Sequence, residues 1–378
     1  MHKPHYFLTG GTGGLGAELI PRLLKARPDA RITALVRASD LSHARLRMEQ
    51  IFCYVRHYHP GFDASRVEAV VGDVTYPRLG LSQGDAASLR GRVTQIVHSA
   101  ASIELQGSRE ELRRINLGGT RAVAEFAESC PQLQRLLLLS TAFVAGRRSG
   151  RILESELDCG QEFVNHYEAS KFASELYLRA LAERLPMTIV RPSIVVGDSQ
   201  DGHVLAFQNM YVPLYFIGTG AVLEPPGEHD TQLDIVPVDH VAEVVVRTLH
   251  HPACIGETYH ACSDESSLLP FTALERAAQD ALAARRAHLL RRGGKLGAGS
   301  AALAGRLSAF FDYLACAKRF SCTNLQRDLG AQAPPAPIAA EFLPRLMGFW
   351  QQAEFGRKMP WQPITAGASQ ASKRVRPC

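Results

Sequence analysis

Thr9-Gly10-Gly11-Thr12-Gly13-Gly14-Leu15-Gly16 is the stretch of this sequence that decides its fold. An apolar run, Tyr6-Phe7-Leu8, comes directly before it, and a helical pattern follows it to about Lys25. Where a strand turns into a helix, only glycine lets the backbone come close to a phosphate, and the helix N-terminus supplies unpaired N–H groups. The Gly-x-x-Gly-x-x-Gly spacing between a strand and a helix therefore predicts a turn that binds the pyrophosphate of a dinucleotide.

Short apolar runs alternate with helical patterns over the first 200 residues, which is typical of a doubly wound parallel sheet. The predicted strands are 5–8, 31–36, 67–71, 95–97, 136–139 and 187–190. We therefore expect an α/β protein with a Rossmann-type doubly wound parallel sheet and a smaller, mostly helical C-terminal part that binds substrate or acts as a lid. The expected boundaries are 1–200 for the dinucleotide-binding domain with its sheet completed by about 232–250, 201–231 and 251–360 for the substrate-binding or lid region, and 361–378 for a disordered basic tail.

The composition is typical of a soluble globular protein, with 46% hydrophobic and 21% charged residues. The formal net charge of +5 is unevenly distributed, because the chain from Asp264 onwards has 16 Lys and Arg against 8 Asp and Glu. A basic surface there would suit an acidic carrier protein, the phosphates of CoA or peripheral contact with an anionic membrane, and a solvated helix face is the alternative. No motif predicts nucleic-acid binding. The arginines of this surface are Arg285, Arg286, Arg291 and Arg292.

The eight cysteines form no C-x-x-C pair and no other metal-ligand spacing, so we expect free thiols and no metal site. The first apolar run leads directly into the glycine-rich turn and is not a secretory leader. These features predict a reduced, cytoplasmic protein. The most apolar long segment, Leu296 to Cys316, is interrupted by Arg306 and Asp312. It is predicted to be a buried or lid helix, with a helix lying on a membrane as the alternative.

The end of the second predicted strand distinguishes the two nicotinamide cofactors. An acidic residue about 20 positions beyond the glycine-rich turn would bind a free ribose 2′-hydroxyl, but the sequence has Leu35-Val36-Arg37 there. An arginine suits a 2′-phosphate, so NADPH is favoured over NADH, although Asp40 lies close enough to leave NADH open. Arg45 and Arg47 either add positive charge or are surface residues. After the third strand, Asp73 either lies near the adenine amino group or caps its own loop.

Tyr167 and Lys171 are four residues apart and share one face of a predicted helix. A phenol has a pKa of roughly 10, which is too high for efficient proton exchange at neutral pH, and an adjacent cation lowers it by stabilising the phenolate. Ser140-Thr141 ends the fifth strand, at the sheet edge where ligands of this architecture bind. The three positions together predict acid–base chemistry on a carbonyl group.

In their order along the chain, these motifs resemble those of the extended short-chain dehydrogenases/reductases, and most closely the male-sterility-type branch of that superfamily. The branch comprises fatty acyl-CoA reductases and the terminal thioester-reductase domains of carboxylic acid reductases and peptide synthetases. The segments that carry the resemblance are Thr9–Gly16, Leu35–Ala38, Ile96–Ala101, Asn116-x-x-Gly119-Thr120, Ser140–Ala142, Tyr167-x-x-Ser170-Lys171, Arg191–Gly197 and Ile235–Asp239.

The resemblance implies roles for individual residues. It implies a catalytic set of Thr141, Tyr167 and Lys171, with Asn116 as a supporting residue. The cofactor site that it implies consists of Thr9, Gly10, Thr12, Gly13, Leu15, Gly16, Arg37, Asp73, Val74, Ser99, Ala100, Ala101, Lys171, Pro192 and Ile194. The expected activity is NADPH-dependent reduction of an acyl-CoA or acyl-carrier thioester to the aldehyde, with the alcohol as a further product.

Two other functions remain open at this stage. The chain is compatible with an extended-family hydroxysteroid-type dehydrogenase, or with a sugar-nucleotide epimerase or dehydratase. Arg37 and the segment Ile235–Asp239 argue against both of these enzymes. It is also compatible with a non-enzymatic NADP(H)-sensing regulator that keeps the fold and loses the chemistry, and the pairing of Tyr167 with Lys171 argues against this. The resemblance allows a dimer, and the oligomeric state stays open.

Overall fold

The computed structural model describes residues 3–207, 210–219, 231–291 and 317–362. The strands are β1 (His5–Thr9), β2 (Arg31–Val36), β3 (Val67–Val71), β4 (Gln95–His98), β5 (Arg135–Leu139), β6 (Gly150–Ile152), β7 (Met187–Pro192), β8 (Ile194–Val196), β9 (Gln232–Leu233), β10 (Ile235–Pro237), β11 (Thr258–Ala261), β12 (Leu269–Pro270) and β13 (Lys318–Phe320). The helices are α1 (Gly14–Ala26), α2 (Leu41–Tyr58), α3 (Gln83–Arg92), α4 (Arg109–Leu112), α5 (Gly118–Glu128), α6 (His166–Arg179), α7 (Tyr211–Gly218), α8 (Val238–His250), α9 (Phe271–Arg291), α10 (Thr323–Leu329) and α11 (Ala339–Gln352).

Seven of these strands form one parallel sheet in the order β3-β2-β1-β4-β5-β7-β11. β1 lies between β2 and β4, and Thr9 is in register with Leu35 on one side and with His98 on the other. Every residue of β1 and β5 is buried, as is usual for a parallel sheet covered by helices on both faces. The strand order reverses at β1, so the carboxyl ends of β1 and β4 border the crevice where such sheets bind ligands. The doubly wound α/β sheet predicted from the sequence is confirmed.

The strand at one edge of the sheet differs from the expectation. β11 completes the sheet by pairing with β7, from Thr258 opposite Ile189 to Ala261 opposite Pro192. The sequence predicts a completion by about 232–250, but β9 and β10 in that range pair with β12 and β8 in separate small sheets. α8 packs against α1 instead. Residues 258–261 mix polar and apolar side chains and are buried only by their tertiary neighbours, so their pattern carries no strand signal.

The helical C-terminal part has a hydrophobic core of its own. α7, α9 and α11 contribute Tyr211, Leu274 and Trp350 to it, and Trp350 is only 1% exposed. β10 lies at the border of the two cores. Its successive side chains point to opposite sides, so Ile235 belongs to the helical core and Val236 to the core of the main sheet. The predicted mostly helical C-terminal part is confirmed.

β13 brings the C-terminal part back to the segment that follows β5. It pairs in parallel with β6, with Lys318 opposite Gly150 and Phe320 opposite Ile152. Phe320 also packs with Ala142 and Ala145, close behind Thr141 in the sequence. The residues that follow the predicted catalytic threonine are therefore covered by a strand from the far end of the described chain.

A buried ion-pair cluster ties α1 and α2 to the loop that follows β8. We call it the Glu18 cluster, and it consists of Glu18, Arg22, Tyr54, His59 and His203. Oε1 of Glu18 accepts hydrogen bonds from the Tyr54 hydroxyl at 2.5 Å and from Nε2 of His203 at 3.2 Å. Oε2 accepts from Nε2 of His59 at 3.1 Å and from Arg22. The Glu18 carboxylate, which is fully buried, is thereby paired on both oxygens.

Among the helices within the described ranges, none is long and apolar enough to cross a membrane. Some predictions fall on residues that the structure does not describe. These are the segment Leu296 to Cys316, the side chains of Arg285, Arg286, Arg291 and Arg292, and the tail from residue 363 onwards.

Candidate active site

The glycine-rich turn joins β1 to α1 at the carboxyl edge of the sheet. Gly10 has a φ of +77°, and a Cβ there would lie 2.6 Å from the backbone nitrogen of Ala100. A Cβ at Gly16 would overlap the carbonyl oxygen of Gly10. Gly13 and Gly14 are exposed at the start of α1, where the first N–H groups have no acceptor within the helix. The turn thus combines close backbone approach with free donors at a helix N-terminus, as a pyrophosphate requires.

Thr9, the last residue of β1, connects this turn to the end of β4. Its hydroxyl hydrogen-bonds with Nδ1 of His98 at 2.8 Å and accepts from the N–H of Ala100 at 3.2 Å. Burial, helped by the charge of Lys171, lowers the pKa of His98 to about 3, so the ring is neutral. Ser99, Ala100 and Ala101 are partly exposed, and Thr9 fixes the start of this loop beside Gly10.

Two arginines meet at the end of β2. Arg37 directly follows the strand and is exposed. Arg47 of α2 donates hydrogen bonds to the carbonyl oxygen of Arg37 and to the Thr12 hydroxyl, the latter at 3.3 Å. Arg45 is exposed on the same helix. The structure therefore brings Arg47, which the sequence left without an assigned role, next to two residues of the predicted cofactor site.

Two carboxylates at this end of the sheet are used by their own loops. Asp40 caps α2, because its Oδ1 accepts from the N–H of His43 at 2.8 Å. That bond, with further bonds from Ser39 and Ser42, lowers the pKa of Asp40. Oδ1 of Asp73 accepts a hydrogen bond from the N–H of Thr75 at 2.8 Å. This bond agrees with the alternative in which Asp73 caps its own loop. Val74 is buried after it.

Thr141, Tyr167 and Lys171 converge at the carboxyl end of β5. Thr141 follows this strand, and Tyr167 and Lys171 lie on α6. The Thr141 hydroxyl lies near enough to the phenol of Tyr167 to lower its pKa. The Thr141 hydroxyl also accepts from the N–H of Phe143 at 3.3 Å and donates to the carbonyl oxygen of Pro192 at 3.5 Å. Nζ of Lys171 donates to the carbonyl oxygen of Leu139, the last residue of β5, at 2.5 Å.

The site favours the neutral form of both titratable groups. Burial raises the pKa of Tyr167 to about 12, with the Thr141 hydrogen bond lowering it and the charge of Glu168 raising it. Burial lowers the pKa of Lys171 to about 8, against the charge of Glu175. The sequence predicts that Lys171, with a bound nicotinamide, lowers the pKa of Tyr167; in the protein without cofactor, burial raises it. The reason is that loss of water around the phenolate outweighs every favourable contact in the protein alone.

Asn116 lies in a π-helical turn, Arg113–Leu117, that runs into α5. Its Oδ1 accepts from the N–H of Ser102 at 2.8 Å, and its Nδ2 donates to the Ser102 carbonyl oxygen at 3.0 Å and to the Ser170 hydroxyl at 2.8 Å. Ser170 directly precedes Lys171 on α6. Asn116 therefore holds the loop after β4 against the helix that carries the predicted catalytic pair.

A buried ion pair behind this helix was missed by the sequence reasoning. The guanidinium of Arg191 in β7 meets the carboxylate of Glu175 at 2.7 Å, with Nε of Arg191 3.0 Å from both carboxylate oxygens. Both side chains are at most 1% exposed. The signal for Glu175 was its position four residues after Lys171 on the same helix face. The pair locks α6 onto β7, directly before Pro192.

A small pocket of about 20 Å³ lies between β8, β9, β13 and the segment that follows Thr141. Phe143, two residues beyond Thr141, forms one wall, and Ile194, two residues beyond Pro192, forms another. The remaining walls come from β9, β13 and the residue between β9 and β10, and include Leu233, Asp234, Lys318 and Phe320. The sequence reasoning assigned no role to Asp234 or Lys318, because only the fold brings them together.

Within the described chain, two groups of ligand atoms are close enough for a metal ion, and both include His203. In one group, the atoms of Glu18, His59 and His203 lie within 4.8 Å of one another, and in the other His203 joins Asp198 and Asp201. Both oxygens of Glu18 already accept hydrogen bonds, one of them from Arg22. Nδ1 of His203 lies 2.5 Å from Oδ1 of Asp201. The arrangement is that of an ion-pair cluster.

The family model described as "Male sterility protein" matches residues 8–245 of this chain. Among curated proteins, the chain is similar to "Fatty acyl-CoA reductase wat" of Drosophila melanogaster, with 27% identity over 266 residues that cover 62% of this chain and 51% of the relative. It is also similar to "L-2-aminoadipate reductase large subunit" of Penicillium chrysogenum, with 29% identity over 272 residues that cover 67% of this chain and 19% of the relative. The chain thus spans about half the length of the first relative and a fifth of the second.

Among solved structures, the chain resembles the terminal R domain from the myxalamid PKS-NRPS biosynthetic pathway. The two sequences are 25% identical, and the TM-score of the two structures is 0.77. The alignment covers 95% of this chain and 93% of the other. The likeness therefore extends beyond the residues matched by the family model and includes the helical C-terminal part.

Proposed function

The chain belongs to the male sterility protein family of extended short-chain dehydrogenases/reductases, and from this premise we propose that it uses NADPH to reduce an acyl thioester to an aldehyde and a thiol. The acyl group is carried by CoA or by a carrier protein. The observation that carries the proposal is the convergence of the Thr141 hydroxyl, the Tyr167 phenol and the Lys171 ammonium at the sheet edge that the glycine-rich turn also borders. The similarity to a fatty acyl-CoA reductase and to a peptide-synthetase R domain supports the thioester as substrate class.

The choice of NADPH is supported by the side chains at the end of β2. The guanidinium of Arg47 lies there, on the Arg37 carbonyl oxygen and the Thr12 hydroxyl, and the exposed side chain of Arg37 begins at the same point, so both arginines are available to a 2′-phosphate. Asp40, the carboxylate that would favour NADH, is bound to the backbone N–H of His43 as a helix cap. A ribose 2′-hydroxyl would therefore have to compete with the helix for this acceptor.

The residues present fit a dinucleotide, because the turn has the tight backbone packing of such sites. Only glycine fits at positions 10 and 16, where a Cβ would overlap neighbouring backbone atoms. When bound, the nicotinamide supplies the hydride that reduces the thioester carbonyl carbon. The protein supplies the rest of the chemistry. The hydroxyls of Thr141 and Tyr167 donate hydrogen bonds to the carbonyl oxygen as negative charge develops on it, and Tyr167 transfers its proton to that oxygen.

The electrostatics of the site suit this direction of proton transfer. With a pKa of about 12, Tyr167 holds its proton at neutral pH and is ready to donate it. The ammonium of Lys171, held on the Leu139 carbonyl oxygen, stabilises the phenolate that results. The addition of one hydride and one proton gives a hemithioacetal, which collapses to the aldehyde and the free thiol. A second hydride and proton would convert the aldehyde to the alcohol.

We also propose that the protein works in the reducing cytoplasm. The described cysteines are free thiols, and they include the exposed Cys53 and Cys159. Exposed thiols persist where the surroundings keep them reduced.

The test is a turnover assay that follows both NADPH oxidation and thiol release. Acyl-CoAs of several chain lengths, the same acyl groups on a carrier protein, and free aldehydes are each supplied with NADPH or with NADH. We expect oxidation of NADPH in preference to NADH, with one thiol released per aldehyde formed. Absence of turnover with every thioester would contradict the proposal. Turnover of aldehydes alone would restrict it to the second reduction.

A further inference from the structure

His98, at the end of β4, is a buried histidine that no step of the proposed reaction uses. It is 2% exposed, and each of its ring nitrogens has a threonine hydroxyl as partner. Nδ1 lies 2.8 Å from the hydroxyl of Thr9, and Nε2 lies 3.3 Å from the hydroxyl of Thr120 on α5. Both threonines are buried as well, so the three side chains satisfy one another in place of water.

The surrounding backbone fixes the direction of both hydrogen bonds. The Thr120 hydroxyl donates its single hydrogen to the carbonyl oxygen of Asn116 at 2.8 Å, so it accepts from His98, and Nε2 must carry the ring hydrogen. Burial lowers the pKa of His98 to about 3, so the ring is neutral and Nδ1 is an acceptor for the Thr9 hydroxyl. The Thr9 oxygen in turn accepts from the N–H of Ala100. The ring is thereby held in one tautomer.

The hydrogen bonds continue on both sides of His98. On one side they reach Ala100, whose backbone nitrogen would lie 2.6 Å from a Cβ at Gly10. On the other side they reach Asn116, whose Nδ2 donates to the hydroxyl of Ser170 at 2.8 Å. Ser170 lies on α6. One chain of buried groups therefore runs from the glycine-rich turn to the helix that carries the predicted catalytic pair.

We propose that His98 is a positioning residue for the reduction: as the Nε2–H tautomer, it holds the loop beside the glycine-rich turn at a fixed place relative to α6. The inference rests on the reductase function proposed above and adds a residue that acts through Thr9 and Thr120. The residues that would hold the cofactor and those that donate hydrogen bonds to the carbonyl group lie on different elements. A misplacement of about 1 Å between such groups costs up to about 100-fold in rate.

The tautomer is tested first, in the protein without cofactor. ¹⁵N NMR of the histidine side chains distinguishes a ring nitrogen that carries hydrogen from one that does not, and the signals of His98 are those that disappear in His98→Gln. We expect Nε2 to carry the hydrogen and Nδ1 to lack it, unchanged between about pH 5 and pH 8, where an ordinary histidine changes its charge. A hydrogen on Nδ1, or titration in this range, would contradict the inference.

Two substitutions each keep one half of the link. His98→Gln keeps a donor at the place of Nε2 and loses the acceptor for Thr9, whereas the shorter His98→Asn keeps an acceptor at the place of Nδ1 and loses the donor to Thr120. We expect the dissociation constant for NADPH, measured by nicotinamide fluorescence without thioester, to rise by about 5- to 100-fold in His98→Gln, because a buried hydroxyl is left unpaired beside the turn. In His98→Asn it should stay within a few-fold of wild type, and kcat at saturating NADPH should fall instead.

His5→Gln is the matched control. His5 lies in β1 at the opposite end from Thr9, is also buried, and has its Nε2 2.8 Å from the hydroxyl of Thr33. Both His5→Gln and His98→Gln should lower the melting temperature, but only His98→Gln should weaken the binding of NADPH. If folded His98→Gln and His5→Gln bind NADPH equally well, His98 has a structural role only and the inference is overturned.

Thr9→Val and Thr9→Ser keep the test decisive if the His98 variants do not fold. Valine keeps the shape of threonine without the hydroxyl, so the ¹⁵N signal of Nδ1 should shift and NADPH binding should weaken. Serine keeps the hydroxyl and should restore both. Equal NADPH binding by the two variants overturns the role of His98 and leaves the thioester reductase intact. Normal NADPH binding by the wild type with no turnover of any thioester contradicts the proposed function alone, and absence of NADPH binding by the wild type overturns both.

Discussion

The cluster of Thr141, Tyr167 and Lys171 and the Glu18 cluster are both polar and largely enclosed, but their charged groups are paired in opposite ways. In the Glu18 cluster, each oxygen of the carboxylate meets donors, among them the guanidinium of Arg22. In the cluster of Thr141, Tyr167 and Lys171, the ammonium of Lys171 donates to a neutral carbonyl oxygen and the phenol lies beside a neutral hydroxyl. In the first cluster, the charged groups are paired with each other within the protein. In the second, the charged group has no counter-ion in the cluster, and a bound ligand is left to supply one.

The pKa shifts follow this difference. Burial alone would raise the pKa of Glu18, but the hydrogen bonds of His203 and His59 and the charge of Arg22 hold it well below its ordinary value. At Tyr167 and Lys171 burial dominates, and both shifts favour the neutral form. Shifts towards neutrality without a partner are typical of sites that act on ligands, whereas fully paired charges stabilise a fold. We expect changes in the two clusters to have separate effects on activity and on stability.

The largest expected effect is the loss of activity in Tyr167→Phe. Removal of the phenol takes away the proton donor and one hydrogen bond to the developing oxyanion, so kcat should fall by about 100- to 10,000-fold. The free energy of unfolding should change by no more than about 1 kcal/mol, because the substitution removes one hydroxyl group whose only named partner is Thr141. Steady-state kinetics and urea unfolding measure the two effects. Tyr177→Phe on the same helix is the control and should retain full activity; a Tyr167→Phe enzyme with wild-type kcat would show that another group donates the proton.

Glu18→Gln should have the converse effect. It removes the buried carboxylate that Arg22 and His203 share and leaves Arg22 with Asp198 and His203 with Asp201, so the free energy of unfolding should fall by about 3 kcal/mol. kcat per folded molecule should be unchanged at a temperature where the variant is folded. Glu49→Gln is the control, since it breaks an exposed pair with Arg56 and should cost less than about 1 kcal/mol. If Glu18→Gln lowered kcat without lowering the free energy of unfolding, the Glu18 cluster would act on activity and not on stability, contrary to this prediction.

The smallest expected effect is a pH dependence of stability that originates at His203. Both of its ring nitrogens face carboxylate oxygens, on Glu18 and on Asp201, so both must donate and the ring is an imidazolium. Burial lowers its pKa, but the hydrogen bond and charge of Glu18, the charge of Asp198 and the hydrogen bond of Asp201 raise it above the ordinary value of 6.5.

A raised folded pKa means that this stabilisation is fully present below the unfolded pKa of 6.5 and is lost as pH rises through the folded pKa. Lys171 acts in the opposite direction, because its lowered pKa makes folding more favourable as pH rises above about 8. His203→Gln isolates the first contribution. The difference in unfolding free energy between wild type and His203→Gln should shrink as pH rises above 6.5, as measured by urea unfolding over a pH series. A difference independent of pH would show that His203 is neutral in the fold.

The sequence predicted those parts of this molecule that are set by local pattern. β3 was placed at Val67–Val71 and β2 at Arg31–Val36, because buried parallel strands are short continuous apolar runs. The positions of Thr141 at a strand end and of Tyr167 and Lys171 on one helix face followed from spacing in the same way. β11 was missed because its strand state depends on pairing with β7 and not on its own alternation.

Features that depend on distant residues lay beyond sequence reasoning. The Glu18 cluster joins α1 to His203, and nothing in the pattern around Glu18 distinguishes it from an exposed glutamate. The raised pKa of Tyr167 depends on burial, which spacing does not reveal. Asp234 and Lys318 share a pocket only because β13 pairs with β6. Burial and long-range pairing are tertiary properties, and they decide both the electrostatics and the lining of the site.

The pairing of β13 with β6 also sets an order of events during synthesis. Gly150 emerges from the ribosome well before Lys318, and the loop between them must close before the two strands can join. The strands of the main sheet, up to β11, are all available earlier. Domains fold as units while the chain is still growing, so the half that holds the dinucleotide matures first. The main sheet is thus complete before the strand that covers the residues after Thr141 has been synthesised.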